Sequence, residues 1–157
     1  MMKKLRMIFL LAGMVACSLM SLSFNAKADR EDFISVGEKA PVLILGGDTV
    51  HGSPYTLVSF WSTADAKSRA GNALMSNKFS LADSIAFVSV SFDRLESVFR
   101  GSVRSDGLDE EKCYVDTAGP ASRLYKAYCI DRGYKSCLID SAGTIVEVYP
   151  MTEKGGK

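Results

Sequence analysis

The chain has 157 residues, with 19 Lys+Arg, 18 Asp+Glu, a single His and 47% hydrophobic residues. This length predicts one domain with a buried core, and the balanced charge argues against a nucleic-acid binder, which typically shows a basic stripe. One histidine leaves little material for a histidine-based metal site. We therefore expect no metal and no cofactor.

The first 28 residues have the pattern of a secretory signal peptide. Three basic residues within the first six precede an apolar run from 7 to 24, and a small-x-small motif ends at Ala28. We expect cleavage after Ala28, an exported domain over 29–157, and a periplasmic or other extracytoplasmic location. Two alternatives stay open: an uncleaved membrane anchor, because roughly 18 apolar residues just span a bilayer, and a lipid anchor at Cys17.

The residues after the leader alternate between strand and helix patterns. β-Branched and aromatic runs predict strands, and apolar residues three and four apart predict helices. The predicted strands are 42–45, 56–61, 85–92, 112–116, 136–140 and 144–149, and the predicted helices lie near 64–81, 94–105 and 120–128. This order predicts an α/β three-layer sandwich with a central mixed sheet, closed by a hairpin at 141–143.

The helix predicted over 64–81 has a set of apolar residues on one face, which we expect to pack on the sheet. These residues are Ala70, Ala73, Leu74 and Leu81. Ser62 or Thr63 is expected to cap this helix. For the next helix, Asp93 begins a capping-box pattern with Glu96.

Five segments of the domain resemble elements of one known family, and they occur in the same order along the chain. They are 36–41, 57–63, 85–93, 128–140 and 142–145. In turn they resemble the lead-in segment, the strand before the active site, the next central strand, the cis-proline segment and the closing hairpin of thioredoxin-like thiol-disulfide oxidoreductases of the TlpA/ResA and AhpC/TSA type. The resemblance implies a thioredoxin fold, with its site at the start of the helix that follows Trp61.

The family's dithiol motif is replaced in this sequence. A Cys-x-x-Cys pair at the helix start works because the helix dipole lowers the pKa of the first thiol and the second thiol resolves the mixed disulfide. Here the two positions are Asp65 and Ser68, and neither side chain exchanges a disulfide. Tyr134 stands where the family places its cis-proline, and we expect it to be trans because a non-proline cis bond costs about 2.5–4 kcal/mol.

Two interpretations of these degenerate positions compete. In the first, Asp65 is a favourable acid in the first helical turn, worth roughly 0.3–1 kcal/mol. In the second, Asp65, Ser68, Arg69 and Tyr134 form a polar binding patch at the rim where the family docks its partners. Trp61 either shapes the same surface or packs in the core. No catalytic residue is predicted, and the expected partner is an unidentified protein or peptide.

Three cysteines remain after export, Cys113, Cys129 and Cys137, and an odd number leaves at least one without a partner in the chain. Cys129 takes a place where the family often has glycine. Cys129–Cys137 and Cys113–Cys129 are the two disulfides to consider. The favoured function is a noncatalytic binding or accessory module. The alternative is a thiol-disulfide oxidoreductase that uses relocated Cys129 and Cys137.

Overall fold

The structure, a computed structural model, describes residues 34–50, 54–79 and 81–151. The predicted leader over 1–28, including Cys17, lies outside these ranges. Every described residue belongs to one compact unit, Asp32–Lys157. No helix among the described residues is long and apolar enough to cross a membrane.

The described residues form two sheets and three α-helices. The strands are β1 (Ile44–Leu45), β2 (Asp48–Thr49), β3 (Tyr55–Trp61), β4 (Ile85–Ser91), β5 (Cys113–Val115), β6 (Lys135–Asp140) and β7 (Ile145–Pro150). The α-helices are α1 (Ala66–Phe79), α2 (Glu96–Ser105) and α3 (Arg123–Ala127), with 3-10 helices at Glu110–Lys112, Gly119–Ala121 and Ile130–Arg132.

The main sheet has five strands in the order β5-β4-β3-β6-β7. β3, β4 and β5 run parallel to one another, β6 is antiparallel to β3, and β7 is antiparallel to β6. The mixed sheet flanked by helices confirms the predicted three-layer α/β sandwich.

The prediction that 42–45 belongs to the central sheet is wrong. Only Ile44–Leu45 is a strand, and it pairs with Asp48–Thr49 in a separate two-stranded sheet. Gly46 and Gly47 connect the two with φ values of 62° and 94°. Glycine adopts this left-handed backbone without strain, and two such residues make a tight hairpin turn. The apolar run therefore folds back on itself before it can join the main sheet.

One face of the main sheet carries an apolar core. Side chains alternate between faces along a strand, and Val58 and Phe60 of β3 point to this side. Phe60 packs against Phe92 and Tyr128, with ring centroids 5.8 Å and 4.6 Å apart. Tyr128, which follows α3, is fully buried, and its hydroxyl donates to the carbonyl of Pro41 at 2.8 Å.

The opposite face is covered by α1 and α2, and here the prediction for the inner face of α1 is wrong. The buried residues of α1 are Ser68, Asn72 and Ser76, whereas Leu74 and Leu81 are 65% and 90% exposed. The sheet offers serines at the matching positions, so the helix presents hydrogen-bonding side chains to them. α2 supplies the apolar part of this face through Phe99, which packs on Trp61.

Candidate functional site

Three loops meet at one edge of the main sheet. Because β3 and β4 are parallel, their carboxyl ends lie at the same edge, and the antiparallel β6 begins there. We call this region the site edge and define it as Ser62–Asp65, Phe92–Leu95 and Gly133–Tyr134. It contains the start of α1, which is the position that the sequence assigns to the site.

Asp65 and Ser68 are joined to each other as a helix cap. The Oδ1 of Asp65 accepts from the backbone N–H of Ser68 at 2.7 Å, and the Oγ of Ser68 donates to the Asp65 carbonyl at 3.1 Å. The same Oγ accepts from the N–H of Ser62 at 3.3 Å. The helix begins at Ala66, so the predicted cap by Ser62 or Thr63 is wrong. Asp65 is the N-cap residue rather than an acid of the first turn.

Asp93 is the most highly connected side chain of the site edge. It is 7% exposed, and its Oδ1 accepts from Ser62 Oγ at 2.7 Å and from the Thr63 N–H at 2.9 Å. Its Oδ2 accepts from Thr63 Oγ1 at 2.6 Å and from Ser91 Oγ at 2.7 Å. The capping-box prediction is therefore wrong: α2 begins at Glu96 after Leu95, with no side-chain cap.

Tyr134 lies over the same loop. It is half-buried, and burial is the main cause that raises its pKa, with smaller contributions from the negative charges of Asp65 and Asp93. Its contact with Ser62 partly offsets this rise in pKa, and its carbonyl accepts from the N–H of Met151 at 2.9 Å. Tyr134 and Asp65 therefore lie at the same edge of the sheet, whereas Ser68 is fully buried and is not on the surface. The binding patch stays a prediction.

Arg69 and Trp61 point away from this patch. The Nε and Nη2 of Arg69 each donate to the Asp106 carboxylate at 2.7 Å, and this hydrogen bonding raises the pKa of Arg69. Trp61 is fully buried, and its Nε1 donates to Ser89 Oγ at 2.8 Å. Arg69 therefore ties α1 to the end of α2, and Trp61 is a core residue, so neither lies on the predicted binding patch.

The three cysteines lie in different environments. Cys113 is on the edge strand β5 and Cys137 is on β6, with β4 and β3 between them, a separation of roughly 14 Å at the usual strand spacing. Both are free thiols, and burial raises the pKa of Cys113 and raises that of Cys137 to about 12. Cys129 has a φ of 50°, which agrees with the prediction that it occupies a glycine position. Because Cys113 and Cys137 are free in the described part of the chain, neither the Cys129–Cys137 nor the Cys113–Cys129 bond is formed there, and both bonds stay predictions.

The chain resembles solved structures over most of its length. A thioredoxin-like protein from Parabacteroides distasonis is 34% identical with a TM-score of 0.69, and the match covers 76% of this chain and 90% of that one. The thioredoxin domain of a thiol-disulfide oxidoreductase from Bacteroides vulgatus is 21% identical with a TM-score of 0.62, over 75% and 90%. A thiol-disulfide oxidoreductase from Bacteroides fragilis is 19% identical with a TM-score of 0.61, over 75% and 94%.

No family model matches the chain, and no curated protein sequence matches it. The likeness to the P. distasonis protein shows that the chain belongs to the thioredoxin-like proteins. The two matches near 20% identity support the fold. The resemblance that the sequence motifs indicated is confirmed at the level of the superfamily.

Sequence reasoning missed the role of Asp93 and of the hydroxyls around it. Its position at the end of a predicted central strand placed it at the carboxyl edge of the sheet, beside Ser62 and Thr63. That signal was available, but the Glu96 spacing favoured a local helix cap. Two of the residues that donate to Asp93 are distant in sequence, with 30 and 31 positions separating it from Thr63 and Ser62.

Proposed function

We propose that this protein is a noncatalytic, exported thioredoxin-like module that binds a protein or peptide partner at its site edge. The observation that carries the proposal is the Asp65–Ser68 cap. Both former thiol positions hydrogen-bond to each other and to the loop, so their side chains serve the helix end. A carboxylate and a buried hydroxyl cannot form the mixed disulfide that thiol exchange requires.

The chemistry of the site edge suits a partner with an apolar contact surface. Leu95 is 64% exposed and Val98, one turn further along α2, is 42% exposed. The polar groups of Ser62, Thr63 and Asp93 are already satisfied by one another. Exposed aliphatic side chains grouped on one surface are typical of protein-binding sites.

A photocrosslinking experiment tests the binding surface. Leu95→benzoylphenylalanine places a photoreactive group at the site edge, and Leu74→benzoylphenylalanine places the same group at 65% exposure on the outer face of α1. With the exported proteins of the native host, we expect a discrete crosslinked species from position 95 and none from position 74. Equal crosslinking from both positions would contradict a binding surface at the site edge.

The export part of the proposal rests on the leader pattern over 1–28. N-terminal sequencing of the protein from its native host should find Asp29 as the first residue. An acylated start at Cys17, or an intact Met1, would contradict cleavage after Ala28.

The rival function is a thiol-disulfide oxidoreductase with relocated thiols. It is favoured by the Lys135 ammonium, which donates to the Cys129 carbonyl at 3.0 Å and interacts electrostatically with both Cys129 and Cys137. The burial of Cys137 weighs against it, because a pKa of about 12 leaves almost no thiolate at neutral pH.

A reduction assay separates the two functions. We expect the wild-type protein to leave the rate at which dithiothreitol reduces a disulfide-bonded protein unchanged. Cys129→Ser and Cys137→Ser should then behave like the wild type. Acceleration by the wild type that either substitution abolishes would establish the relocated-thiol enzyme and overturn the noncatalytic proposal.

A further inference from the structure

Asp93 is a buried carboxylate that the proposed binding surface does not use directly. Among the described residues, the ion pairs are Arg69–Asp106, Arg100–Glu96 and Lys112–Asp109, so none of them involves Asp93. Its charge is stabilised by hydroxyl and amide donors instead. A buried carboxylate held this way fixes the position of every group that donates to it, because each donor loses its partner if it moves.

The donors come from different elements. Ser62 and Thr63 belong to the loop between β3 and α1, and Ser91 ends β4. The network also reaches α2, because Ser102 Oγ lies 2.9 Å from Thr63 Oγ1. One carboxylate therefore connects the loop before α1 to a strand end and to a second helix.

Tyr134 lies beside this network. Its contact with Ser62 lowers the pKa of its phenol, and the negative charge of Asp93 acts in the opposite sense. The loop before β6 therefore lies next to the loop before α1, which Asp93 holds through Ser62 and Thr63.

We propose that Asp93 is a positioning residue that holds the loop before α1 in one arrangement against the end of β4 and against α2. The inference rests on the proposed function, because it assigns to this arrangement the role of presenting a preformed binding surface. Preformed surfaces lose less conformational entropy on binding and dissociate more slowly. Asp93 thus supports partner binding without touching the partner.

Amide hydrogen exchange tests the positioning role without any partner. The N–H of Thr63 donates to the Asp93 carboxylate alone, so its exchange rate reports on the network directly. Asp93→Asn replaces one of the two accepting oxygens by an NH₂ group, which cannot accept the hydrogen bonds that the surrounding hydroxyls and the Thr63 N–H donate. Exchange at Thr63 should therefore become faster by about tenfold or more. Exchange at Val58, in the centre of the sheet, should change much less.

Two further variants distinguish loosening of this loop from a general loss of stability. Asp65→Asn is the matched control, since its amide oxygen can still cap Ser68, and it should leave Thr63 exchange within about twofold of the wild type. If Asp93→Asn does not fold, Thr63→Val removes only one hydroxyl donor and should still speed exchange at Ser62 and Ala64. Equal acceleration at Val58 and Thr63 would show a general loss of stability and overturn the positioning role.

The phenol of Tyr134 gives a spectroscopic readout beside the network. The negative charge of Asp93 contributes to raising the pKa of Tyr134, so Asp93→Asn should lower that pKa. Titration of the tyrosine signal by NMR measures this change, and an unchanged titration would contradict a charged Asp93 beside this loop. Repeating the crosslinking from position 95 in Asp93→Asn completes the test.

Three outcomes of that last step are distinct. Weaker crosslinking with loosened loops supports the whole inference. Undiminished crosslinking with loosened loops overturns the link between positioning and binding. Failure of the wild type to crosslink contradicts the proposed function, while the exchange and titration results still decide whether Asp93 positions the loops.

Discussion

The two faces of the main sheet are built from the same strands but hold their helices in opposite ways. On one face Val58, Phe60 and Val90 pack with Tyr128 in an apolar core. On the other, Ser59 of β3 lies between Ser89 of β4 and Ser136 of β6 in the strand register. All three serines are fully buried beneath α1.

Only some of the buried polar groups on this second face have hydrogen-bond partners. Trp61 donates to Ser89, and Ser89 donates to the Oδ1 of Asn72 at 3.0 Å. Within the described part of the chain, the Oγ atoms of Ser59 and Ser136 and the Nδ2 of Asn72 have no hydrogen-bond partner. The apolar face therefore supplies most of the stability, whereas the polar face sets the position of the helix whose start forms the site.

The substitution with the largest expected effect on the free energy of unfolding lies on the apolar face. Phe60→Ala removes a fully buried ring that packs on Phe92 and Tyr128, and it should lower the free energy of unfolding by about 3–5 kcal/mol. Urea denaturation followed by circular dichroism measures the change. A loss below about 1 kcal/mol would show that this face is not the main source of stability.

The next largest effect is a decrease in the free energy of unfolding at high pH. Burial raises the pKa of Cys137 to about 12, so between the ordinary thiol pKa of about 8.5 and that value the folded state binds the extra proton and stability falls as pH rises. The loss due to Cys137 should reach roughly 2.7 kcal/mol near pH 10.5. Denaturation of the wild type and Cys137→Ala at pH 8 and 10.5 isolates it, and equal slopes would contradict the burial of this thiol.

Ser89→Ala tests the connected part of the polar face. The substitution removes the hydroxyl that accepts from the Trp61 Nε1–H and donates to the Asn72 Oδ1. Both groups then stay buried without this hydrogen-bond partner, which should lower the free energy of unfolding by about 1–3 kcal/mol. Thermal and urea denaturation would measure the loss. A neutral result would mean that this hydrogen-bond chain does not hold α1 on the sheet.

Ser59→Ala is the matched substitution at the unconnected position and has the smallest expected effect. Because its hydroxyl has no partner among the described residues, its removal should leave the free energy of unfolding unchanged or raise it by about 1 kcal/mol. The same denaturation measurement checks this. A loss as large as that of Ser89→Ala would show that Ser59 does make a stabilising hydrogen bond.

The contrast between the faces also explains what the sequence predicted well. β3 and β4 were predicted to within one residue, because β-branched and aromatic residues are concentrated there. The position of α1 followed from its place after β3. The inner face of α1 could not be predicted from apolar spacing, since Leu74 points outward and Asn72 points toward serines that come from three separate strands.

The candidate site was predicted in its location and only partly in its contacts. Asp65 and Ser68 lie at the start of α1, where the resemblance to the family implied, but Ser68 is fully buried. Arg69 is paired with Asp106, 37 positions away, and Asp93 binds Ser62 and Thr63, 31 and 30 positions away. Such contacts depend on how the helices and strands are arranged in the fold, which local patterns do not encode.

The most direct test of the account is to restore the thiols at the positions of the helix cap. Asp65→Cys with Ser68→Cys places two thiols at a helix N-terminus, where the first should have a lowered pKa. In the reduction of a disulfide-bonded protein by dithiothreitol, we expect no turnover by the wild type, weak turnover by the double variant, and more when Tyr134→Pro is added. Turnover by the wild type, or equal inactivity of all three folded proteins, would contradict the assignment of this site.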